Sequence, residues 1–131
     1  MLYICRGNSF RSPVAEALTR RFHTGTEVES AGTRPANRIS EEARRLLEED
    51  GAEQYLKPEP ERISQRAVKE ADRIIAMTSY QRKYVEERFP EQRSKIRVWK
   101  VPDPLTPEIT PEESYHRIRN RVRNLNLQPS S

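Results

Sequence analysis

The chain has a single cysteine, and this scarcity excludes several kinds of site at once. Among the 131 residues, Cys5 is the only thiol, and there are only two histidines. One cysteine cannot form an internal disulfide, and a structural zinc site needs more cysteine and histidine ligands than the chain holds. We therefore expect a protein that carries no metal and no cofactor.

Long apolar runs are also missing. Apolar residues make up 34% of the sequence, and no stretch approaches the roughly 20 residues that a membrane span needs. No signal-peptide pattern precedes the first predicted strand. We therefore expect a cytoplasmic protein with no membrane partner. It should form one domain over residues 1–131 with a disordered tail at about residues 126–131.

Charge, in contrast, is abundant and mixed in sign. Lysine and arginine number 24 against 20 acidic residues, which leaves a net charge of +4 that suits an anionic ligand. Four arginines alternate along the last predicted helix, at Arg117, Arg119, Arg121 and Arg123. They spread around the helix, which is typical of a solvated face, so nucleic acid is not the expected partner. A basic module for nucleic acid or another polyanion stays an alternative, and a strongly salt-dependent affinity would favour it.

Hydrophobic patterning predicts an α/β fold. Short apolar segments predict strands at residues 1–5, 27–31, 73–77 and 96–99. Amphipathic segments predict helices from Ser12 onward, over residues 40–50, 64–71 and 79–88, and from residue 111 to about 125. This alternation predicts a four-stranded parallel sheet with helices on both faces. Cys5 and Asp103 both follow predicted strands, so both belong at the edge where such sheets bind ligands.

The residues between the first strand and the first helix combine backbone donors with positive charge. They read Arg6-Gly7-Asn8-Ser9-Phe10-Arg11-Ser12, and Ser12 is expected to cap the helix with Pro13 at its first position. A loop that leads into a helix amino terminus directs N–H groups toward an anion, and Arg11 can offer a planar fork to two phosphate oxygens. A thiol inside that ring of donors would be held as the nucleophilic thiolate. The pattern predicts a phosphate-binding loop after strand 1.

This loop resembles that of the low-molecular-weight protein tyrosine phosphatases. The likeness covers Cys5 to Glu16 and continues in chain order through residues 30–33, residues 71–77 and Asp103-Pro104. It extends over roughly residues 1–125. The resemblance implies a hydrolase that acts on a phosphorylated protein or a small phosphomonoester, releases inorganic phosphate and uses no metal.

The resemblance also implies roles for the site residues. Cys5 would attack phosphorus and form a phosphocysteine, Arg11 would stabilise the equatorial oxygens, and Asp103 would protonate the leaving oxygen and then assist water. The substrate-binding positions would be Arg6, Gly7, Asn8, Ser9, Phe10 and Ser12.

Three polar side chains would support the loop, according to the same resemblance. Ser12 would donate a hydrogen bond to the sulfur of Cys5. Asn8, bonded to Ser12 and Ser30, would hold the loop in its strained shape.

The substrate stays open, because the sequence departs from the family at the mouth of the site. Leu105 and Thr106 follow Pro104, where tyrosine-specific members place aromatic residues; Phe10, Tyr80 or Tyr84 could substitute. A hydroxyl at the position of Ser9 occurs in relatives that act on phosphoarginine and in the related arsenate reductases. An arsenate reductase that uses an external small thiol is therefore a second alternative, which arsenate-dependent oxidation of a thiol would identify.

Overall fold

A single parallel sheet forms the centre of the molecule. The structure, a computed structural model, describes residues 1–127. Its strands are β1 (Leu2–Cys5), β2 (Glu29–Gly32), β3 (Ile74–Ala76) and β4 (Ile96–Val98). They lie in the order β2-β1-β3-β4, and every neighbouring pair is parallel. The predicted fold class is confirmed; the expected disorder of the tail falls mainly on residues 128–131, outside the described residues.

Five α-helices connect and follow the strands. They are α1 (Arg11–Phe22), α2 (Glu41–Glu49), α3 (Gln65–Glu70), α4 (Ser79–Arg88) and α5 (Pro111–Arg123). Two short 3-10 helices, which the pattern did not predict, cover Glu53–Tyr55 and Pro90–Lys95. Over residues 1–127, none of the helices is both long enough and apolar enough to cross a membrane.

The two faces of the sheet bury separate apolar clusters, as alternating strand side chains require. On one face, Tyr3 and Ile75 pack with residues of α1, α2 and α5. On the other face, Leu2, Ile4 and Ile74 pack with residues of α3 and α4. Helices therefore cover both faces, as predicted, and the carboxyl ends of the strands stay available at one edge.

The start of α1 differs from the prediction. The helix begins at Arg11, and Phe10 precedes it without a side-chain cap. The prediction that Ser12 caps this helix is therefore wrong, because its hydroxyl is used inside the loop. Ser40 and Thr110, in contrast, do cap α2 and α5 through their side chains.

Two of the four arginines on α5 are not simply solvated. The guanidinium of Arg119 lies 2.8 Å from the carboxylate of Asp50, at the end of α2. The guanidinium of Arg123 lies over the ring of Phe22, 4.9 Å from its centroid. The expectation of a solvated face is therefore wrong for Arg119, which is partly buried, while Arg123 is exposed as expected and also contacts α1.

Candidate active site

The loop between β1 and α1 is held from outside by the segment that follows β2. Four backbone N–H groups of that segment donate to loop carbonyls at 2.8–3.1 Å. The donor and acceptor pairs are Thr33 with Cys5, Arg34 with Arg6, Ala36 with Gly7, and Ser40 with Ser9. The carbonyl of a trans peptide and the N–H that follows it point in opposite directions. The N–H groups of residues 6, 7, 8 and 10 therefore point into the loop. This is the arrangement of an anion-binding nest.

The sulfur of Cys5 lies inside this ring of N–H groups. The N–H of Asn8 donates to Sγ at 3.2 Å, and Oγ of Ser12 lies 2.9 Å from it. Cys5 is only 1% exposed, yet it lines a cleft of about 470 Å³. Both neighbours can donate to a thiolate, which is the nucleophilic form of cysteine.

Asn8 supports the loop from beneath. Its backbone has φ of +50°, a left-handed conformation that asparagine tolerates better than most residues. Its buried side-chain nitrogen donates to Oγ of Ser12 at 2.8 Å and to Oγ of Ser30 at 3.0 Å. Gly32 closes the same region: a Cβ there would lie 2.7 Å from the carbonyl oxygen of Arg6. The end of β2 can approach the loop this closely because residue 32 is glycine.

Arg11 and Asp103 meet at the rim of the loop. Nη1 of Arg11 donates to the carbonyl of Val101 at 3.0 Å, and Nη2 lies 3.6 Å from Oδ2 of Asp103. The other oxygen of Asp103 accepts a hydrogen bond from the N–H of Leu105 at 2.9 Å. The structure therefore brings together the three residues that the sequence singled out, with the cysteine in the floor and the other two at the rim.

The side chains of Ser9 and Phe10 make structural contacts, and their role in substrate binding stays a prediction. The hydroxyl of Ser9 donates to the carbonyl of Arg38 at 2.8 Å, which ties the loop to the segment after β2. The side chain of Phe10 is buried in the core cluster, although it also lines the cleft that contains Cys5. Arg6 is exposed at the mouth.

Sequence reasoning missed two buried charged residues beneath the loop. Oε1 of Glu16 accepts a hydrogen bond from Oγ of Ser30 at 2.6 Å. Burial raises the pKa of Glu16 above its usual value, against the hydrogen bond from Ser30 and the charges of Lys57 and Arg20. Lys57, in the segment between α2 and α3, donates to Oδ1 of Asn8 at 2.8 Å. Nothing in the neighbouring sequence distinguishes this lysine from a solvated one.

Two clefts meet at Asp103 and Arg11. The cleft that contains Cys5 is also lined by Leu105, which is 93% exposed. The other, of about 700 Å³, is lined by Tyr84 and by Tyr80, which is 82% exposed. The second cleft thus provides aromatic surface close to the loop. Within the described part of the chain, no group of three or more His, Cys, Asp or Glu side chains could hold a metal ion.

The family model for low molecular weight phosphotyrosine protein phosphatases matches residues 1–128. The chain belongs to this family. Its members are cysteine-based phosphatases that act on phosphorylated proteins and small phosphates. The resemblance found in the opening loop is therefore confirmed by the whole chain.

Curated relatives include members named for different phosphorylated side chains. A protein-arginine-phosphatase from Geobacillus stearothermophilus is 35% identical over 98 residues, which is 72% of this chain and 65% of that protein. The low molecular weight protein-tyrosine-phosphatase Wzb of Escherichia coli K12 is 32% identical over 114 residues, 79% of this chain and 76% of that protein. The chain thus spans just under two thirds of the length of the first relative.

Solved structures of family members share the fold over most of their length. The low molecular weight protein tyrosine phosphatase of Streptococcus pyogenes matches with a TM-score of 0.84 at 25% identity, covering 94% of this chain and 87% of that chain. The YwlE arginine phosphatase of Geobacillus stearothermophilus matches with a TM-score of 0.73 at 29% identity, covering 93% and 84%.

Proposed function

We propose that this protein is a cysteine-dependent phosphomonoester hydrolase that acts through a phosphocysteine at Cys5. The observation that carries the proposal is the convergence of the Asn8 N–H and the Ser12 hydroxyl on the sulfur, at 3.2 and 2.9 Å. Arg11 and Asp103 stand at the rim of the same loop. Membership of a phosphatase family supports the assignment.

In the first step, the thiolate of Cys5 attacks phosphorus and the bond to the leaving oxygen breaks. The inward N–H groups and Arg11 stabilise the charge on the three equatorial oxygens, an electrostatic effect often worth several kcal/mol. Asp103, protonated at this stage, gives its proton to the leaving oxygen. The products are a neutral alcohol or phenol and a phosphocysteine.

In the second step, water attacks the phosphocysteine and the sulfur–phosphorus bond breaks. The carboxylate of Asp103 accepts a proton from the water, inorganic phosphate leaves, and Cys5 returns to the thiolate. Ser12 donates to the departing sulfur and so stabilises the negative charge that it regains.

We infer that the substrate is a phosphorylated side chain of a protein, as the names of the relatives suggest for them. Tyr80 and Tyr84 supply an aromatic wall beside Asp103, which compensates for Leu105 and Thr106 at the positions after Pro104. Arg6 and Arg34 line both clefts and give the mouth a positive charge that attracts phosphorylated substrates.

A substrate screen tests the proposal. Phosphate release should be measured from phosphotyrosine and phosphoarginine peptides, sugar phosphates and nucleotides, with Cys5→Ser as the control. Phosphate release from at least one substrate by the unmodified protein, but not by Cys5→Ser, supports the assignment as a hydrolase. Arsenate-dependent thiol oxidation without phosphate release would instead identify a reductase. The cytoplasmic location stays a prediction, which cell fractionation tests.

A further inference from the structure

A buried ammonium group lies beneath the loop. Lys57 is 8% exposed, and its Nζ donates to Oδ1 of Asn8 at 2.8 Å and to the carbonyl of Ser30 at 2.9 Å. Its charge is matched by the carboxylate of Glu61, whose Oε1 lies 2.8 Å from Nζ. A lysine is rarely buried unless it is paired in this way.

Lys57 and the backbone N–H of Glu61 together determine the orientation of the Asn8 amide. Oδ1 of Asn8 also accepts a hydrogen bond from the backbone N–H of Glu61 at 2.8 Å. An ammonium and a peptide N–H can only donate, so the atom that faces both of them must be the oxygen. The amide nitrogen of Asn8 must then face Ser12 and Ser30, to which it can only donate.

This orientation sets the direction of the next hydrogen bond. Because Oγ of Ser12 accepts from the Asn8 amide at 2.8 Å, its own hydrogen is left for another acceptor. The sulfur of Cys5 lies 2.9 Å away, and the alternative acceptor, the carbonyl of Ala31, lies at 3.5 Å. Ser12 therefore donates to the sulfur.

Backbone pairing holds the second donor to Oδ1 of Asn8, the N–H of Glu61, in place. The N–H of Gly32 donates to the carbonyl of Glu61 at 2.8 Å, and the N–H of Ile63 donates to the carbonyl of Gly32 at 3.0 Å. These bonds attach the segment 61–63 to the end of β2, where Gly32 and Arg62 form a parallel bridge. The Glu61 N–H is thus anchored to the sheet.

We propose that Lys57 is a positioning residue for catalysis: together with the Glu61 N–H it holds the Asn8 amide in the orientation in which Ser12 donates a hydrogen bond to the nucleophilic sulfur. The inference rests on the proposed function of Cys5. Lys57 itself hydrogen-bonds to Asn8 and Ser30 and pairs with Glu61, and none of these contacts involves the sulfur. Its effect passes through Asn8 and Ser12.

Lys57→Met tests the inference, because it keeps much of the length but removes the charge and the donor. We expect kcat for an aryl phosphate, and the rate at which iodoacetamide alkylates Cys5 at neutral pH, each to fall about tenfold. Lys95→Met is the matched control: this lysine donates to the carbonyls of Val68 and Lys69, at the end of α3. It should leave both rates within about twofold of the unmodified protein.

A second background separates this role from a merely structural one. When Ser12→Ala has already removed the hydroxyl, Lys57→Met should lower the two rates less than about twofold, because the bond it acts through is gone. An undiminished loss in that background, or wild-type rates in Lys57→Met, would overturn the inference. If Lys57→Met does not fold, Lys57→Leu, which also removes the charge and the donor, is measured against the same criteria.

The two readouts also keep this inference distinct from the proposed function. Absence of phosphate release by the unmodified protein would overturn the hydrolase. The alkylation rates would then still decide whether Lys57 acts on the sulfur.

Discussion

The guanidinium of Arg11 and the carboxylate of Asp103 form an ion pair of 3.6 Å across the mouth of the loop. Arg11 begins α1 and Asp103 follows β4, so the contact joins two distant parts of the chain. Arg11 also donates to Val101, which leads directly into the segment that carries Asp103. Under the proposed mechanism, the cation that binds the phosphoryl oxygens thus also positions the acid that protonates the leaving group.

Cys5→Ser should abolish turnover and leave the fold and the affinity for inorganic phosphate largely intact. A serine hydroxyl has nearly the same shape as the thiol but almost no anionic fraction near neutral pH. Phosphate release, calorimetric phosphate binding and thermal unfolding measure the three properties. Substantial activity in this variant would rule out Cys5 as the nucleophile.

Asp103→Asn should slow substrates with poor leaving groups far more than activated aryl phosphates. General acid catalysis is typically worth about 10²–10⁴-fold, and it matters least when the leaving oxygen is already a stable anion. The amide oxygen can still accept the N–H of Leu105, so the local turn is kept. Rates for an alkyl and a nitrophenyl phosphate provide the comparison.

Glu108→Gln is the matched variant, because Glu108 is another carboxylate that lines the cleft beside Asp103. We expect Glu108→Gln to change the rates for the alkyl and the nitrophenyl phosphate by the same factor. Equal slowing of both substrates in Asp103→Asn would exclude Asp103 as the acid, and a leaving-group effect in Glu108→Gln would assign the role to Glu108.

Peroxide should inactivate the enzyme irreversibly on prolonged exposure. An accessible thiolate is oxidised to the sulfenic acid, and a second thiol can normally trap that form as a disulfide. This chain has no second cysteine, so Cys5 can proceed to the sulfinic acid. Early addition of reductant should restore activity, late addition should restore little, and bound phosphate should protect. Recovered activity and the mass of the Cys5 peptide test this, and full recovery with no added oxygen would contradict it.

Asp50 should stabilise the fold at neutral pH and lose this effect in acid. Burial opposes its ionisation, but hydrogen bonds from Arg119 and Tyr115 and the charges of Arg119 and Arg123 lower the pKa of Asp50 below its usual value. A lowered pKa in the folded state contributes stability above about pH 4, and that contribution is lost as the pH falls through the folded value.

Asp50→Asn should therefore lower the free energy of unfolding by about 1–3 kcal/mol at pH 7 and reduce the acid dependence below about pH 4. Glu42→Gln is the control, since this half-exposed carboxylate pairs with an exposed arginine and should contribute less than about 1 kcal/mol. Denaturant unfolding at several pH values measures both. An unchanged acid slope in Asp50→Asn would refute the assignment.

Local sequence was sufficient to predict the strands, the α-helices and the loop. The strands and helices follow from short apolar runs and helical spacing, and Ser40 and Thr110 cap helices through bonds to backbone groups three residues away. The site residues from Cys5 to Ser12 are adjacent in the chain, so their sequence alone indicated an anion-binding loop.

Only the tertiary structure showed that Lys57 also supports that loop. Lys57 reaches Asn8 from 49 residues away, and only the pairing of residues 61–63 with β2 brings its segment there. Local reasoning misassigned Ser12 for the same reason: a serine before a helix usually caps it, but here its hydroxyl is held by Asn8 and Cys5. The hydrogen-bond partners of a buried polar group depend on which distant segments pack against it, and a local pattern does not contain that information.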